Sequence, residues 1–507
     1  MRVNLTQGIA LSAALVSGLS LTACQPSSET TASAAPKVSV ETESKVTSTT
    51  DKRPNIVFIL ADDMGYGDLS VNGQANFTTP NLDEMAAQGI NFTNFYAGSA
   101  VCGPSRSVLM TGQHVGNTPI RANQMAVKSK FGSHSRTLLK DELTVANVLQ
   151  DAGYQTALIG KWGLGEIDDE GHPNDQGFDY FYGYTNHIHA HNHYPDYLWR
   201  NKEKVELKNE VIEADCDYCA GFGHRGEITP LDKRFEYSDD LIRDESIAYL
   251  KQAAQKDEPF FLFVSLVSPH ANNEAETVDW AHGLEVPSTA SFDHEDWPDT
   301  AKSYAAMVEH IDNSVGAIKA QIKALGLDDN TIVMFTADNG PHEEGGNDPS
   351  FHNSNGDNRG LKRYLYEGGI RMPTLAWGPG LVPEGIVSEH IGYFGDFMAT
   401  AAEVAGVDVP ANTDSVSFLP VLKGDAEKQK EHEYLYWEFY EHITQQAVRM
   451  GKWKAIRIPM VTGPIALYDM EADRAESTDV AVQHPEVVAR IAEIMNENHV
   501  PSPLWIY

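Results

Sequence analysis

Four apolar, β-rich runs stop at residues equipped for chemistry: 55–60 before Asp62-Asp63, 156–159 before Lys161, 260–267 before His270, and 331–335 before Asp338-Asn339. Carboxylate and amide oxygens suit a hard divalent cation, a lysine suits an anion, and an imidazole carries a proton near neutral pH. A charged residue after a strand is by itself an ordinary loop cap. Four runs closing on two acidic pairs, a lysine and a histidine favour a shared site, because in open α/β sheets ligands bind beyond the carboxyl ends of the strands.

For these residues to meet, the runs must lie side by side. Continuous apolar stretches separated by helical ones predict a parallel sheet covered on both faces. Helices are expected over 81–88, after Thr79-Pro80 and before Gly89, and over 144–151, before Ala152-Gly153. Beyond about Asp425 the pattern changes to short alternating strands, 433–440, 446–450 and 453–458, followed by a helix over 485–498. The expected organisation is a large α/β domain over 53–424 with a smaller C-terminal α+β subdomain over 425–507.

The 507 residues carry 38 Lys+Arg against 72 Asp+Glu, a formal net charge of −34, which argues against nucleic-acid binding. At 41% hydrophobic and 22% charged the composition is that of a globular protein. A polyanionic substrate would be repelled at long range, so it must be met by a local cluster of cations.

Residues 1–24 combine Arg2, an apolar stretch and small residues before Cys24, the pattern of an export signal. Leu21-Thr22-Ala23-Cys24 resembles the bacterial lipobox, and Gln25 in place of an Asp favours lipid anchoring at the outer membrane. Residues 25–52, rich in Ser, Thr, Ala and Glu, read as a solvated tether. Of the four cysteines, Cys216 and Cys219 fit a structural disulfide or two idle thiols better than a redox pair or half a zinc site.

The run Val101-Cys102-Gly103-Pro104-Ser105-Arg106, continuing to Thr111-Gly112, resembles the signature of the type I sulfatases of the alkaline phosphatase superfamily. The resemblance extends from about Arg53 to the C-terminus and implies an alkaline phosphatase-like mixed sheet sandwiched by helices. In that family the cysteine is oxidised to formylglycine by a formylglycine-generating enzyme, and the hydrated aldehyde is the nucleophile. The resemblance assigns Asp62, Asp63, Asp338, Asn339 and the modified Cys102 to a metal, for which Ca2+ suits the oxygen set. It assigns Arg106, Lys161 and Lys362, the last within Leu361-Lys362-Arg363-Tyr364, to the sulfate, and His270 to protonation of the leaving alcohol. Arg106, four residues after Cys102, shares a helix face with it, and the helix N-terminus favours an anion.

Two positions depart from the family pattern. Gly163 stands where many sulfatases carry a histidine that assists the second half of the reaction, and Gln113 stands where Arg is usual. A replacement for that histidine is expected from the segment Asn186-His187-Ile188-His189-Ala190-His191-Asn192-His193, which places four histidines at alternate positions, on one side if extended. His189 and His191 are the candidates for the site rim, with a solvated loop or a separate transition-metal site as alternatives. His342 and, more weakly, His114 are candidate substrate contacts. An exported lipoprotein with an acidic surface and this signature points to a sulfated polysaccharide, such as a marine algal galactan. The rivals are phosphonate monoester or phosphodiester hydrolysis, and an inactive surface glycan-binding protein.

Overall fold

The computed structural model describes residues 52–123, 137–216, 219, 224, 226–502 and 504–505. The expected signal 1–24, and the expected tether apart from Lys52, lie outside the described residues. Among the described residues no helix is long and apolar enough to cross a membrane.

The strands are β1 (Asn55–Ala61), β2 (Gly89–Tyr96), β3 (Gln155–Lys161), β4 (Tyr180–Tyr184), β5 (Tyr197–Arg200), β6 (Glu203–Glu206), the short pair β7 (Ile212–Glu213) and β8 (Glu227–Ile228), β9 (Phe260–Ser265), β10 (Thr331–Ala337), β11 (Thr374–Trp377), β12 (Ile386–Tyr393), β13 (Leu435–Phe439), β14 (Gln445–Met450), β15 (Trp453–Arg457) and β16 (Ile465–Asp469). The helices are α1 (Pro80–Ala87), α2 (Cys102–Thr111), α3 (Val145–Asp151), α4 (Ser238–Ala253), α5 (Asp299–Ala324), α6 (Glu367–Ile370), α7 (Asp396–Ala405), α8 (Leu419–Leu422) and α9 (Pro485–Glu497).

Ten strands form the main sheet in the order β12-β2-β11-β10-β1-β9-β3-β4-β5-β6. The four runs read from sequence are its centre, β10-β1-β9-β3, all mutually parallel. Every residue of β1, β9 and β10 is buried, which is why these strands read as unbroken apolar runs. The expected mixed sheet is borne out: β4 on β3 and β12 on β2 are also parallel, whereas β11 is antiparallel to both β10 and β2, and β4-β5-β6 is an antiparallel ribbon. Connections too short for a crossover helix can only join antiparallel neighbours, and a two-residue turn separates β5 from β6.

Helices α1, α4 and α5 pack together as one group, and α2, α3 and α7 as another. α3 begins with a capping box in which the Thr144 hydroxyl accepts from Asn147 N at 3.2 Å. At the C-terminus β13-β14-β15-β16 form a separate antiparallel sheet, with β16 absent from the sequence-based expectation. One face of that sheet, including Trp437, Phe439 and Ile456, joins the main core. The other, with Tyr436, Val448 and Leu467, packs on Ile491, Ile494 and Met495 of α9. Alternation along β13 therefore buries both faces, at roughly 1.5–3 kcal/mol per large apolar side chain.

Candidate active site

Leu60 of β1 is level with Ser265 of β9, Ser265 with Gly160 of β3, and Ala61 with Ala337 of β10. The residues that follow are thus delivered to one edge of the sheet. Asp62, Asp63, Asp338, Asn339, Lys161 and His270 are all buried there.

Arg106 ties the ends of four strands together from α2. Its guanidinium donates to Asp338 Oδ2 (2.9 Å from Nε), the Lys161 carbonyl (2.8 Å) and Ser265 Oγ (2.6 Å), and lies 3.3 Å from Asp62 Oδ2. Lys161 Nζ lies 2.6 Å from Asp62 Oδ2, close enough for an ion pair but off the angle of a hydrogen bond. Lys362 Nζ donates to Asp63 Oδ2 and Glu344 Oε2, each at 2.7 Å, and lies 3.3 Å from His270 Nε2. Arg106, Lys161 and Lys362 are therefore matched against Asp338, Asp62 and Asp63. Buried charges persist only when paired in this way.

Asp63 adopts a left-handed backbone conformation, φ 66°, which costs a non-glycine residue about 1–3 kcal/mol. It is held by Asp63 N donating to Asp338 Oδ1 (3.1 Å), by Asn339 Nδ2 donating to Asp63 Oδ1 (2.6 Å) and by Lys362. The strain turns the second carboxylate of the pair back into the cluster.

Cys102 is the first residue of α2 and is 2% exposed. No side chain caps this helix. Instead Asn123 accepts from Gly103 N at 2.9 Å, and its amide nitrogen lies 3.6 Å from Cys102 Sγ. Burial pushes the thiol pKa up to about 11, so the unmodified side chain is a neutral thiol.

Three carboxylates, of Asp62, Asp63 and Asp338, present oxygens within 4.8 Å of one another. Asp62 Oδ1 and Asn339 Oδ1 are buried with no hydrogen-bond partner among the described residues. Burial, and then Asp62, hold the Asp338 carboxyl well above the usual carboxylate range. An all-oxygen set with unsatisfied lone pairs and excess negative charge fits a hard divalent cation.

The sulfatase family model matches residues 54–407, and the model described as N-sulphoglucosamine sulphohydrolase, C-terminal, matches residues 360–500. The chain belongs to the sulfatase family. It is 31% identical over 420 residues to N-acetylgalactosamine-6-sulfatase of Mus musculus, covering 79% of this chain and 71% of that one. It is 31% identical over 476 residues to arylsulfatase G of Rattus norvegicus, covering 86% and 84%. The crystal structure of Ps i-CgsB superposes with a TM-score of 0.72 at 25% identity, covering 90% of this chain and 95% of that one. This sulfatase is a sulfuric ester hydrolase built on the family's helix-flanked mixed sheet.

The histidines separate into distinct roles. The segment expected to be extended instead forms a tight 3-10 turn over His189–His191, because Asn186 Oδ1 accepts from Ile188 N and His189 N. That turn sends its imidazoles in different directions. His191 stacks on His270 at 4.7 Å and pairs with Glu274 at 3.0 Å, while His193 Nε2 donates to the His270 carbonyl at 2.8 Å. His189 is not at the rim: it is 1% exposed, wedged against Tyr184 and Tyr197 and turned towards His224 and Glu227. The ring beside Gly163 belongs to His187, a residue not singled out from the sequence. A Cβ at Gly163, whose φ is +75°, would lie 2.5 Å from His187 Nε2, and one at Gly103 would lie 3.4 Å from it.

His342 is held as a brace beside the site. It is fully buried, its Nε2 donating to the Pro269 carbonyl at 3.0 Å and its Nδ1 accepting from Glu344 N at 3.1 Å. His114 lies elsewhere, in a cavity of about 200 Å³ lined by Tyr393, Asp414, His432 and Tyr436. Cys216 and Cys219 form a disulfide, with Cα atoms 5.5 Å apart. Ser265, Asn123 and Glu344 were also missed by sequence reasoning. Ser265 alone left a signal, as a polar residue inside an apolar run.

Proposed function

We propose that this sulfatase removes sulfate esters from a sulfated glycan, an algal galactan being the first class to test, using formylglycine at position 102 and Ca2+. The observation that carries this reading is the convergence of Arg106, Lys161 and Lys362 with three carboxylates around Cys102. Formylglycine supplies a hydrated aldehyde as nucleophile, which a buried neutral thiol does not. Asp62, Asp63, Asp338 and Asn339 would hold the Ca2+, which supplies Lewis-acid stabilisation of a sulfate oxygen.

The chain's own residues supply the rest. Arg106 and Lys161 present positive charge to sulfate oxygens in a water-poor site, where electrostatic stabilisation is strongest. His270 Nδ1 donates to the Ala271 carbonyl at 2.6 Å, which directs Nε2 at Lys362. The proton for the leaving alcohol is therefore held between Lys362 Nζ and His270 Nε2. Beside Lys362 a cavity of about 240 Å³, bordered by Arg363, Tyr364, Phe439 and His442, offers room for the leaving sugar, with Tyr364 as an exposed ring for stacking. Glycan specificity is also supported by relatives named for sugar sulfates, including N-acetylgalactosamine-6-sulfatase. The Leu21-Thr22-Ala23-Cys24 sequence supports an exported, lipid-anchored enzyme acting at the outer membrane.

Ion chromatography of sulfate released from algal and animal sulfated oligosaccharides tests the function, with phosphate esters in parallel. Sulfate release from a glycan is the expected result. Phosphate release with none of sulfate would overturn it.

His187 takes the place of the histidine missing at Gly163 and handles the proton of the nucleophilic residue. His187→Ala should lower kcat by about 10²-fold with KM little changed, the usual scale for a lost acid–base group. Steady-state kinetics on the best glycan checks this, and an unchanged kcat would assign the role elsewhere. Gly163→His should not rescue that variant, because its left-handed backbone strains any residue with a Cβ.

A further inference from the structure

We propose that His189, His224 and Glu227 form a second metal site, binding Zn2+, that fastens the hairpin of β7 and β8 to the histidine segment walling the active site. One nitrogen from each histidine and one Glu227 oxygen lie within 4.8 Å of one another. His189 Nε2 is 3.9 Å from Glu227 Oε2, and His224 Nε2 is 3.6 Å from Glu227 Oε1. Ligand atoms on a tetrahedral zinc with bonds of 2.0–2.1 Å are about 3.3 Å apart, so the three groups need to close by a few tenths of an ångström to about 1.5 Å.

Two atoms of the cluster are otherwise without purpose. His189 Nε2 and Glu227 Oε2 are both buried and without a hydrogen-bond partner among the described residues. Leaving such groups unsatisfied costs about 1–3 kcal/mol each, which a shared cation would offset. His189 is pre-positioned, its ring held between Tyr184 and Tyr197. The other two ligands are nearer the surface, with His224 and Glu227 side chains 14% and 15% exposed, so water can complete the coordination and the His224 ring has room to turn.

The donor set selects the metal. Two imidazoles with one carboxylate suit zinc, whereas calcium prefers the oxygen-only cluster around Asp62. Among the described residues Lys204, whose ammonium lies over the Tyr197 ring at 4.0 Å, is the adverse charge nearby, and Asp196 beside Glu227 opposes it. The Cys216–Cys219 disulfide lies between β7 and β8, so the same hairpin carries a covalent closure and two of the three ligands.

The test uses the full chain, stripped with a chelator and kept in excess Ca2+ so that the oxygen-only cluster is filled. Zn2+ is titrated calorimetrically, and Co2+ is added as a spectroscopic probe. The expected result is about one Zn2+ per chain and visible Co2+ bands of tetrahedral intensity. Loss of an outer partner of a metal ligand already costs about 10–100-fold in affinity, so His224→Ala and Glu227→Gln should each weaken Zn2+ by more than about 100-fold. Both are near the surface and leave the core intact, which keeps the test valid if His189→Ala fails to fold. Absence of stoichiometric Zn2+ binding in the parent, or equal affinity in the parent and both variants, overturns the proposal.

Discussion

With alanine at position 102, sulfate release should fall by about 10⁴-fold or more, the scale seen when a nucleophile is removed from a preorganised site. The side chain at the start of α2 is placed beside both Asp62 and His270, with ligand-bearing atoms of all three within 4.8 Å. Alanine keeps the helix and the contact between Gly103 N and Asn123, but leaves no atom able to attack sulfur. The charge cluster and its binding energy survive, so KM should change little while kcat collapses. Cys102 is small and 2% exposed, so the folding cost should be no more than about 1 kcal/mol. Urea unfolding of the variant separates lost chemistry from lost structure. A variant that keeps even one per cent of the parent rate would remove Cys102 from the mechanism.

Removing Ca2+ should produce the second large effect, a loss of activity of about 10²-fold or more together with a lower Tm, both reversed by adding Ca2+ back. Each cation of the site is engaged by a carboxylate: Arg106 by Asp338 at 2.8 Å, Lys161 by Asp62 at 2.6 Å and Lys362 by Asp63 at 2.7 Å. Sulfate must compete for those same cations. A divalent ion held by Asp62, Asp63, Asp338 and Asn339 would satisfy the orphaned oxygens and offset the carboxylates, leaving the positive side chains available to the substrate. At an ion concentration 100 times its Kd the linkage contributes about 2.7 kcal/mol of stability. Activity after treatment with a chelator and differential scanning calorimetry with and without Ca2+ read both effects. Asp338→Asn, similar in shape and one charge less, should lose most of the calcium-dependent rise in Tm. An enzyme whose rate and Tm are indifferent to chelation would rule out the ion.

Much of this site was legible before any coordinates. Asp62-Asp63, Lys161, His270 and Asp338-Asn339 each follow an apolar run, and the runs read as strands because burial on both faces of a central sheet demands uninterrupted apolar residues. Cys102 and Arg106 were legible from a short motif whose one-turn spacing is local geometry. Less visible were the edge strands β5, β6 and β12, whose mixed composition reflects partial burial, and β11, which is fully buried but only four residues long.

What the sequence by itself determined is therefore the local part: which segments are central strands, which residues stand at their ends, which family signature they carry and what charge the site must supply. What only the tertiary structure decided is which partners face those residues. His187, and not His189 or His191, lies beside Gly163, because the Asn186 side chain winds the segment into a 3-10 turn and each imidazole leaves it in its own direction. Asn123 meets Gly103 from 20 positions away, Ser265 meets Arg106 from 159, and Glu344 meets Lys362 across a loop. Periodicity constrains side-chain direction only inside regular helices and strands. In turns and loops that direction is set by backbone angles and by contacts between residues distant in the chain, and these exist only once the sheet has assembled.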